Sequence, residues 1–269
     1  MNKGKKAVFL SEDGIRAEFS PLFGKKVRVH LYDVTDSTNQ RAKELAEVMT
    51  PEDKEYVHLF VATEQTGGRG RLGRSFDSAR GSGVYMSILT FPDISAEDGA
   101  LVTPYAAVAL CRTLKRLTPL EPKIKWVNDI YSGNKKLAGI LTEGSCDTES
   151  ERLSYCITGF GINLYTRDFG TLREIATDIE SECGIRLDPA VLVAGLTEEF
   201  VSSLDSVGAS SYIEEYRAHS MLIGKKVTVL RGDEGYEATV KGITDRCELL
   251  VDKDGEKRVL FTGEVSLKL

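Results

Sequence analysis

The sequence predicts an α+β fold, a mixed-sheet body followed by a small β-barrel, and three observations lead to it. Period-two apolar runs alternate with helical runs between Lys25 and about His219. The last fifty or so residues change character and read as short alternating strands joined by Gly and Asp-Gly turns. The chain has 269 residues, 41% hydrophobic and 28% charged, enough for one large domain or two unequal ones.

Residues 1–24 are basic, then polar, with one apolar cluster at Ala7 to Leu10, and read as a lead-in segment. Val27, Val29 and Leu31 then alternate as a strand. DSTNQRAKELAEVM follows, with Ala42, Leu45, Ala46 and Met49 on one helical face, and Ser37 with Gln40 fits a capping box. VHLFVA (57–62) is a strand that enters a glycine-arginine loop, and Val84 to Leu89 is a strand that leaves it. Residues 97–117 form the clearest helix, with Leu101, Tyr105, Val108, Cys111 and Leu114 at three- and four-residue steps and Pro104 in an early turn. KIKWV, KLAGIL after a Ser132-Gly133-Asn134 turn, and LSYCITGFGINL are three further strands. Helical stretches run from about Pro189 to Leu204 and from Ser211 to His219. KKVTVLRGD, YEATVKGI, CELLVDKDGEKRVL and GEVSLKL then supply five short strands, with a hairpin turn at Asp254-Gly255.

Bulk properties restrict the function. The net charge of -6 argues against a general nucleic-acid binder. The N-terminal stretch is too short in apolar residues for a signal peptide or a membrane span. Five scattered cysteines without a C-x-x-C pair point to reduced thiols in a cytoplasmic protein, and three dispersed histidines argue against a protein-held metal.

Residues 63–74, TEQTGGRGRLGR, hold four glycines and three arginines. Gly68 to Gly73 matches the G-x-G-x-x-G dinucleotide fingerprint, but the following RSFDSARGSG has no helical period, so a phosphate on a helix start is not expected. Nor is it a P-loop, for it lacks the G-K-[ST] ending. Glycines that let N–H groups approach oxygens, with Arg69, Arg71 and Arg74 as fixed cationic forks, suit a small anionic ligand. Companion stretches are KWVND (125–129), KLAGILTE (136–143) and GFGIN (159–163). They offer a lysine and an amide at a strand end, a lysine before a small-residue run with Gly139, and a further amide.

In order, DSTN, EQTGGRGRLGR, KWVND, KLAGILTE and GFGIN resemble the biotin protein ligases, from about Lys25 to Asn163, and FTGEVSLKL is similar to that family's closing strands. The resemblance implies a mixed-sheet catalytic domain of the biotin/lipoate ligase type over 25–219 and an SH3-like barrel over 220–269. It implies ATP-dependent biotin ligation through biotinyl-5′-AMP, with Mg²⁺, onto a lysine of a biotin carboxyl carrier protein.

Ser37, Thr38 and Asn39 would line the biotin pocket, with Gln65 near the carboxylate and Gly139 allowing close approach. Arg69, Gly70 and Arg71 would close over the carboxylate and phosphate, and Lys125 would contact both reacting groups. Arg74, Phe76, Asn128, Lys136 and Asn163 would hold the nucleotide, together with Arg69 and Arg71. Departures are Val127 where proline is frequent, Gly67 where alanine is, and Phe76 where tryptophan is; none removes a charge. Only the 24-residue lead-in precedes the motifs where longer relatives carry a DNA-binding module, so the resemblance implies either a monofunctional form with a leftover linker or a sequence that starts late; a homodimer stays open. The alternatives are a lipoate or octanoyl ligase or transferase, and a non-enzymatic biotin-sensing regulator.

Overall fold

The computed structural model describes residues 10–209, 211–231, 234–261 and 264–267. Ala7 to Phe9 of the N-terminal apolar cluster, and parts of the RGD and GEVSLKL runs, lie outside the described residues.

The segment before Lys25 is built into the body. Helix α1 (Glu12–Glu18) starts at Ser11, whose side chain accepts from Gly14 N, and buries Ile15. With Phe19, Ile15 joins the main core, and a one-turn helix α2 (Pro21–Gly24) leads into strand β1 (Val27–Tyr32). Helix α3 (Thr38–Ala46) is shorter than its apolar period suggests. The expected capping box does not form. Ser37 makes no side-chain cap bond, Asp36 Oδ1 accepts from Ser37 N at 2.7 Å, and Gln40 turns outward to Glu44.

Strands β2 (Val57–Ala62) and β3 (Gly83–Thr90) flank the glycine-arginine loop, as the pattern predicts. The long helix is α4 (Val102–Leu117), entered through a 3-10 turn at 98–101, with Pro104 in its first turn where no N–H is needed. Eleven of its residues are buried, and each large apolar side chain so covered is worth about 1.5–3 kcal/mol.

KIKWV yields only β4 (Lys123–Lys125), and the Trp126–Val127 peptide is cis. A strand not expected from the sequence follows, β5 (Asp129–Ser132), turned by Gly133 at φ 55° into β6 (Lys135–Asp147). Strand β7 (Arg152–Asn163) completes a seven-stranded sheet, ordered β1-β2-β3-β7-β6-β5-β4. Its β1–β2 pair is parallel and the others antiparallel, so the sheet is mixed.

Alternate residues divide its faces. Leu59, Val61, Met86, Ile88, Phe160 and Ile162 enter the main core beside α4 and α6 (Pro189–Val201). Phe60, Leu89 and Ile157 form a small second core with Ala42 of α3 on the other face. Helix α5 (Ile179–Cys183) and helix α7 (Ile213–His219) precede and follow α6.

Strands β8 (Lys226–Arg231), β9 (Glu234–Ile243), β10 (Leu249–Lys253), β11 (Glu256–Leu260) and β12 (Glu264–Leu267) form a five-stranded antiparallel sheet, ordered β11-β10-β9-β8-β12. Asp254 and Gly255, at φ 55° and 88°, make the expected hairpin turn between β10 and β11. Trp126 Nε1 donates to Cys247 O at 2.8 Å and Met221 N to Ile124 O at 3.0 Å, fastening the small sheet to β4. Among the described residues, no helix is long and apolar enough to cross a membrane.

Candidate active site

A cleft lies on the α3 face of the large sheet, where β6 and β7 carry glycine instead of side chains. A Cβ on Gly159 would come within 2.2 Å of Asn39 Oδ1, and one on Gly161 within 2.5 Å of the Phe76 ring. At Gly139 the nearest atom would be Lys136 Nζ, 3.2 Å away. These glycines therefore make room for the protein's own Asn39, Phe76 and Lys136, which form the walls and floor.

One end of the cleft is a largely buried hydrogen-bond network of neutral side chains backed by the Glu143 carboxylate. Thr38 N and Oγ1 both donate to Gln65 Oε1, at 2.8 and 3.1 Å, and Gln65 Nε2 reaches Ser78 Oγ at 3.0 Å. Ser87 Oγ lies 2.7 Å from Thr38 Oγ1 and 2.6 Å from Asn39 Oδ1. Asn39 Nδ2 donates to Glu143 Oε2 at 2.7 Å and to Leu141 O at 3.3 Å. Asp36 anchors this corner. Burial pushes its carboxyl up, but the Ser37 N–H, the Thr35 hydroxyl and Arg41 outweigh burial and hold it below the usual carboxylate range.

The glycine-arginine loop folds over this end as a flap with its own backbone ladder. Gln65 N donates to Ser78 O, Phe76 N to Gly68 O and Gly70 N to Arg74 O, while Gly67 N donates to Asp36 O. One 3-10 turn at 71–73 ends at Gly73 and the next element is β3, so no helix starts in the fingerprint to receive a pyrophosphate. Leu72 sits at the flap tip with φ 57° and is 69% exposed.

The other end of the cleft is cationic. Arg71 Nη1 crosses from the flap to Asn128 Oδ1 at 3.1 Å, and Asn128 Nδ2 is held by Ile140 O at 2.8 Å. Lys136 Nζ pairs with Asp129 at 2.7 Å and lies 5.9 Å from the Phe76 ring centre, while Lys125 Nζ lies 5.8 Å from that of Tyr131. Burial, with Asp129 adding to it, pushes the Tyr131 phenol up to about 12, so it stays neutral. Arg69, Arg71, Arg74, Lys125 and Lys136 line the cleft, with Asp129 as the acid among the lining residues and Glu143 paired to Arg69 at 3.4 Å, a cationic surplus suited to an anion. No group of three or more potential metal ligands occurs among the described residues.

Of the residues named from the sequence, Ser37, Thr38, Asn39, Gln65, Arg69, Gly70, Arg71, Arg74, Phe76, Lys125, Asn128, Lys136 and Gly139 all line the cleft. Asn163 does not. Its side chain is buried and its Nδ2 donates to Thr177 O at 2.9 Å. It lies on the Gly161 side of β7, two residues further along, where the segment at Thr177 covers it.

The sequence reading missed Ser78, Ser87, Trp126, Asp129, Glu143 and Val265. Ser87 had a signal, as the hydroxyl in the middle of the otherwise apolar VYMSIL. Glu143 and Asp129 stood inside quoted stretches without a role. Val265 comes from the second sheet, and no local pattern could have brought it here.

Comparison with known proteins fits this geometry. The model of the biotin/lipoate A/B protein ligase family matches residues 31–163, and that of the biotin protein ligase C terminal domain matches residues 222–268. The bifunctional ligase/repressor BirA of Bacillus subtilis is 31% identical, across 98% of this chain and 81% of that protein. The biotin–[acetyl-CoA-carboxylase] ligase of Paracoccus denitrificans is 28% identical, across 86% of this chain and 97% of its own. In fold, the chain is similar to the biotin protein ligase from Aquifex aeolicus in complex with biotin and ATP. The TM-score is 0.71 at 24% identity, over 90% of this chain and 98% of that one.

Proposed function

The chain belongs to the biotin/lipoate A/B protein ligase family, and on that premise we propose that it is an ATP-dependent biotin–protein ligase. It joins biotin and ATP into biotinyl-5′-AMP with release of pyrophosphate. It then passes the biotinyl group to a lysine amine of a biotin carboxyl carrier domain, releasing AMP.

One observation carries the reading: a donor-and-acceptor end and a strongly cationic end share a single cleft. Biotin has that same division, a ureido ring that both gives and takes hydrogen bonds and a carboxylate at the end of its chain. Thr38, Asn39 and Ser87 suit the ring. Lipoate and octanoate carry no hydrogen-bonding ring, so neither would gain the hydrogen bonds that this network offers.

The chemistry needs no protein nucleophile, since the biotin carboxylate attacks the α-phosphorus and the carrier amine attacks the resulting anhydride. Arg69, Arg71, Lys125 and Lys136 offset the repulsion between a carboxylate and a triphosphate and stabilise charge that grows on the phosphoryl oxygens. Phe76 and Asn128 form the nucleotide wall. The flap shields the anhydride from water until the carrier arrives.

Asp129, paired with Lys136 at 2.7 Å beside the phosphate-binding cations, would be the protein's contribution to a Mg²⁺ that nucleotide oxygens and water would otherwise hold. That ion would further screen the phosphates.

The test is exchange of labelled pyrophosphate into ATP, followed by mass spectrometry of a carrier domain incubated with protein, ATP, Mg²⁺ and biotin. Exchange should depend on biotin, and the carrier should gain one biotinyl group. Exchange driven by lipoate alone would make the protein a lipoate ligase, and biotin binding without exchange would make it a sensor.

A further inference from the structure

Glu143 stands on β6 at the polar end of the cleft, half-buried, and the roles above do not use it. Its Oε2 accepts from Asn39 Nδ2 at 2.7 Å and lies 3.4 Å from Arg69 Nη2. One carboxylate oxygen thus serves both the start of α3 and the flap.

The two contacts differ in kind. The Asn39 amide is fully oriented, because Nδ2 also reaches Leu141 O while Oδ1 faces the buried Ser87 hydroxyl. Turned over, the amide would set Oδ1 against the Glu143 carboxylate, two acceptors in contact with no proton between them. The Arg69 pair is long, and Arg69 is 39% exposed, so it is weak and easily exchanged. A ligand carboxylate or phosphate entering the cationic end offers the guanidinium a shorter, two-pronged contact.

We propose that Glu143 is a positioning residue with two duties: it locks the Asn39 amide for the ring of the bound acid, and it holds Arg69 on the sheet until the ligand's anion takes that guanidinium over. This rests on the ligase reading. The ligand competes with Glu143 for Arg69 but gains from Glu143 at Asn39. Removing the charge while keeping an acceptor therefore separates the two duties.

The experiment compares the full chain with Glu143→Gln and Glu143→Ala. Three quantities are measured: tryptic cleavage after the flap arginines without ligand, biotin affinity by calorimetry, and biotin-dependent pyrophosphate exchange. Both variants should be cut in the flap about two- to fivefold faster than wild type, the scale of losing one exposed ion pair. Glu143→Gln should bind biotin at least as tightly as wild type, because its amide oxygen still accepts from Asn39. Glu143→Ala should bind about tenfold more weakly. A purely structural carboxylate would instead weaken biotin binding in both variants. Equal loss of affinity in the two, or flap cleavage of Glu143→Gln at the wild-type rate, would overturn the proposal. A wild type without biotin-dependent exchange sinks the ligase reading itself, which keeps the two failures distinct.

Discussion

Gly159 illustrates how closely single atoms define this cleft. Its missing Cβ is the space that Asn39 Oδ1 occupies, 2.2 Å from where that carbon would be. Gly159→Ala should push Asn39 out of its network with Ser87 and Glu143 and weaken biotin binding at least tenfold. It should also cost about 1–3 kcal/mol of stability, the scale of overpacking. Calorimetric titration and urea unfolding would read the two effects. At the opposite wall, Arg71 ties the flap to Asn128. Arg71→Gly cuts that tie and removes a charge from the anion site, so the adenylate should escape about tenfold or more faster. Labelling of bystander lysines in a mixed protein solution would show it. The burial of Cys156, with its thiol pushed up to about 12, keeps that sulfur protonated and out of the chemistry.

The elements show what a sequence can and cannot disclose. Long periodic runs such as α4 and the β2 and β3 strands are legible because their own apolar spacing decides them. Strand β5 is not, since four residues between a polar strand end and a turn carry too short a pattern. The capping box failed for a related reason: the Asp36 carboxylate takes the Ser37 N–H that the Gln40 side chain would have served. Most of the site was legible because glycine, arginine, lysine and amide stretches fall at strand ends. Ser87, Glu143 and Val265 joined it through tertiary pairing alone.

Two element-scale tests follow from contacts between elements. Trp126→Phe would strip Cys247 O of its donor and loosen the small sheet from β4, at a cost of about 1–3 kcal/mol in urea unfolding. At the β1–β2 edge, His30 Nε2 and His58 Nδ1 meet at 3.1 Å. Burial lowers both imidazoles first; His58 lowers His30 further, while at His58 the Asp53 carbonyl and carboxylate pull upward without offsetting burial. In the window below the ordinary value near 6.5, the unfolded chain therefore binds more protons than the folded one. Stability should be fully present above that value, fall as pH drops from it toward the lowered folded values, and level off below them. Urea midpoints between about pH 7.5 and 5.5 should follow that trend, and His30→Phe should flatten it.

At the scale of the whole molecule, the cleft draws on both sheets. β3, β6 and β7 give the floor, α3 and the flap one side, the β4–β5 turn the other, and Val265 of the second sheet the rim. An overall charge of -6 surrounds a cleft lined by five cationic side chains and one acid. Ligand anions are thus drawn to the cleft and not to the general surface. Raising the salt concentration should therefore slow adenylate formation more than it weakens binding of a neutral biotin amide, a contrast measurable by stopped-flow and calorimetry.

The pairing of β3 with β7 joins strands far apart in the chain, with Gly83 opposite Asn163 and Thr90 opposite Cys156. Closing so long a loop carries an entropic cost that neighbouring hairpins such as β6–β7 avoid. The floor of the cleft lies along that seam, so refolding should complete it late, after the β5–β6–β7 meander has formed. Pulsed hydrogen exchange during refolding would show amides of β6 protected before those of β3. Nascent chains stalled before β7 emerges would then have no floor on which to hold the vitamin.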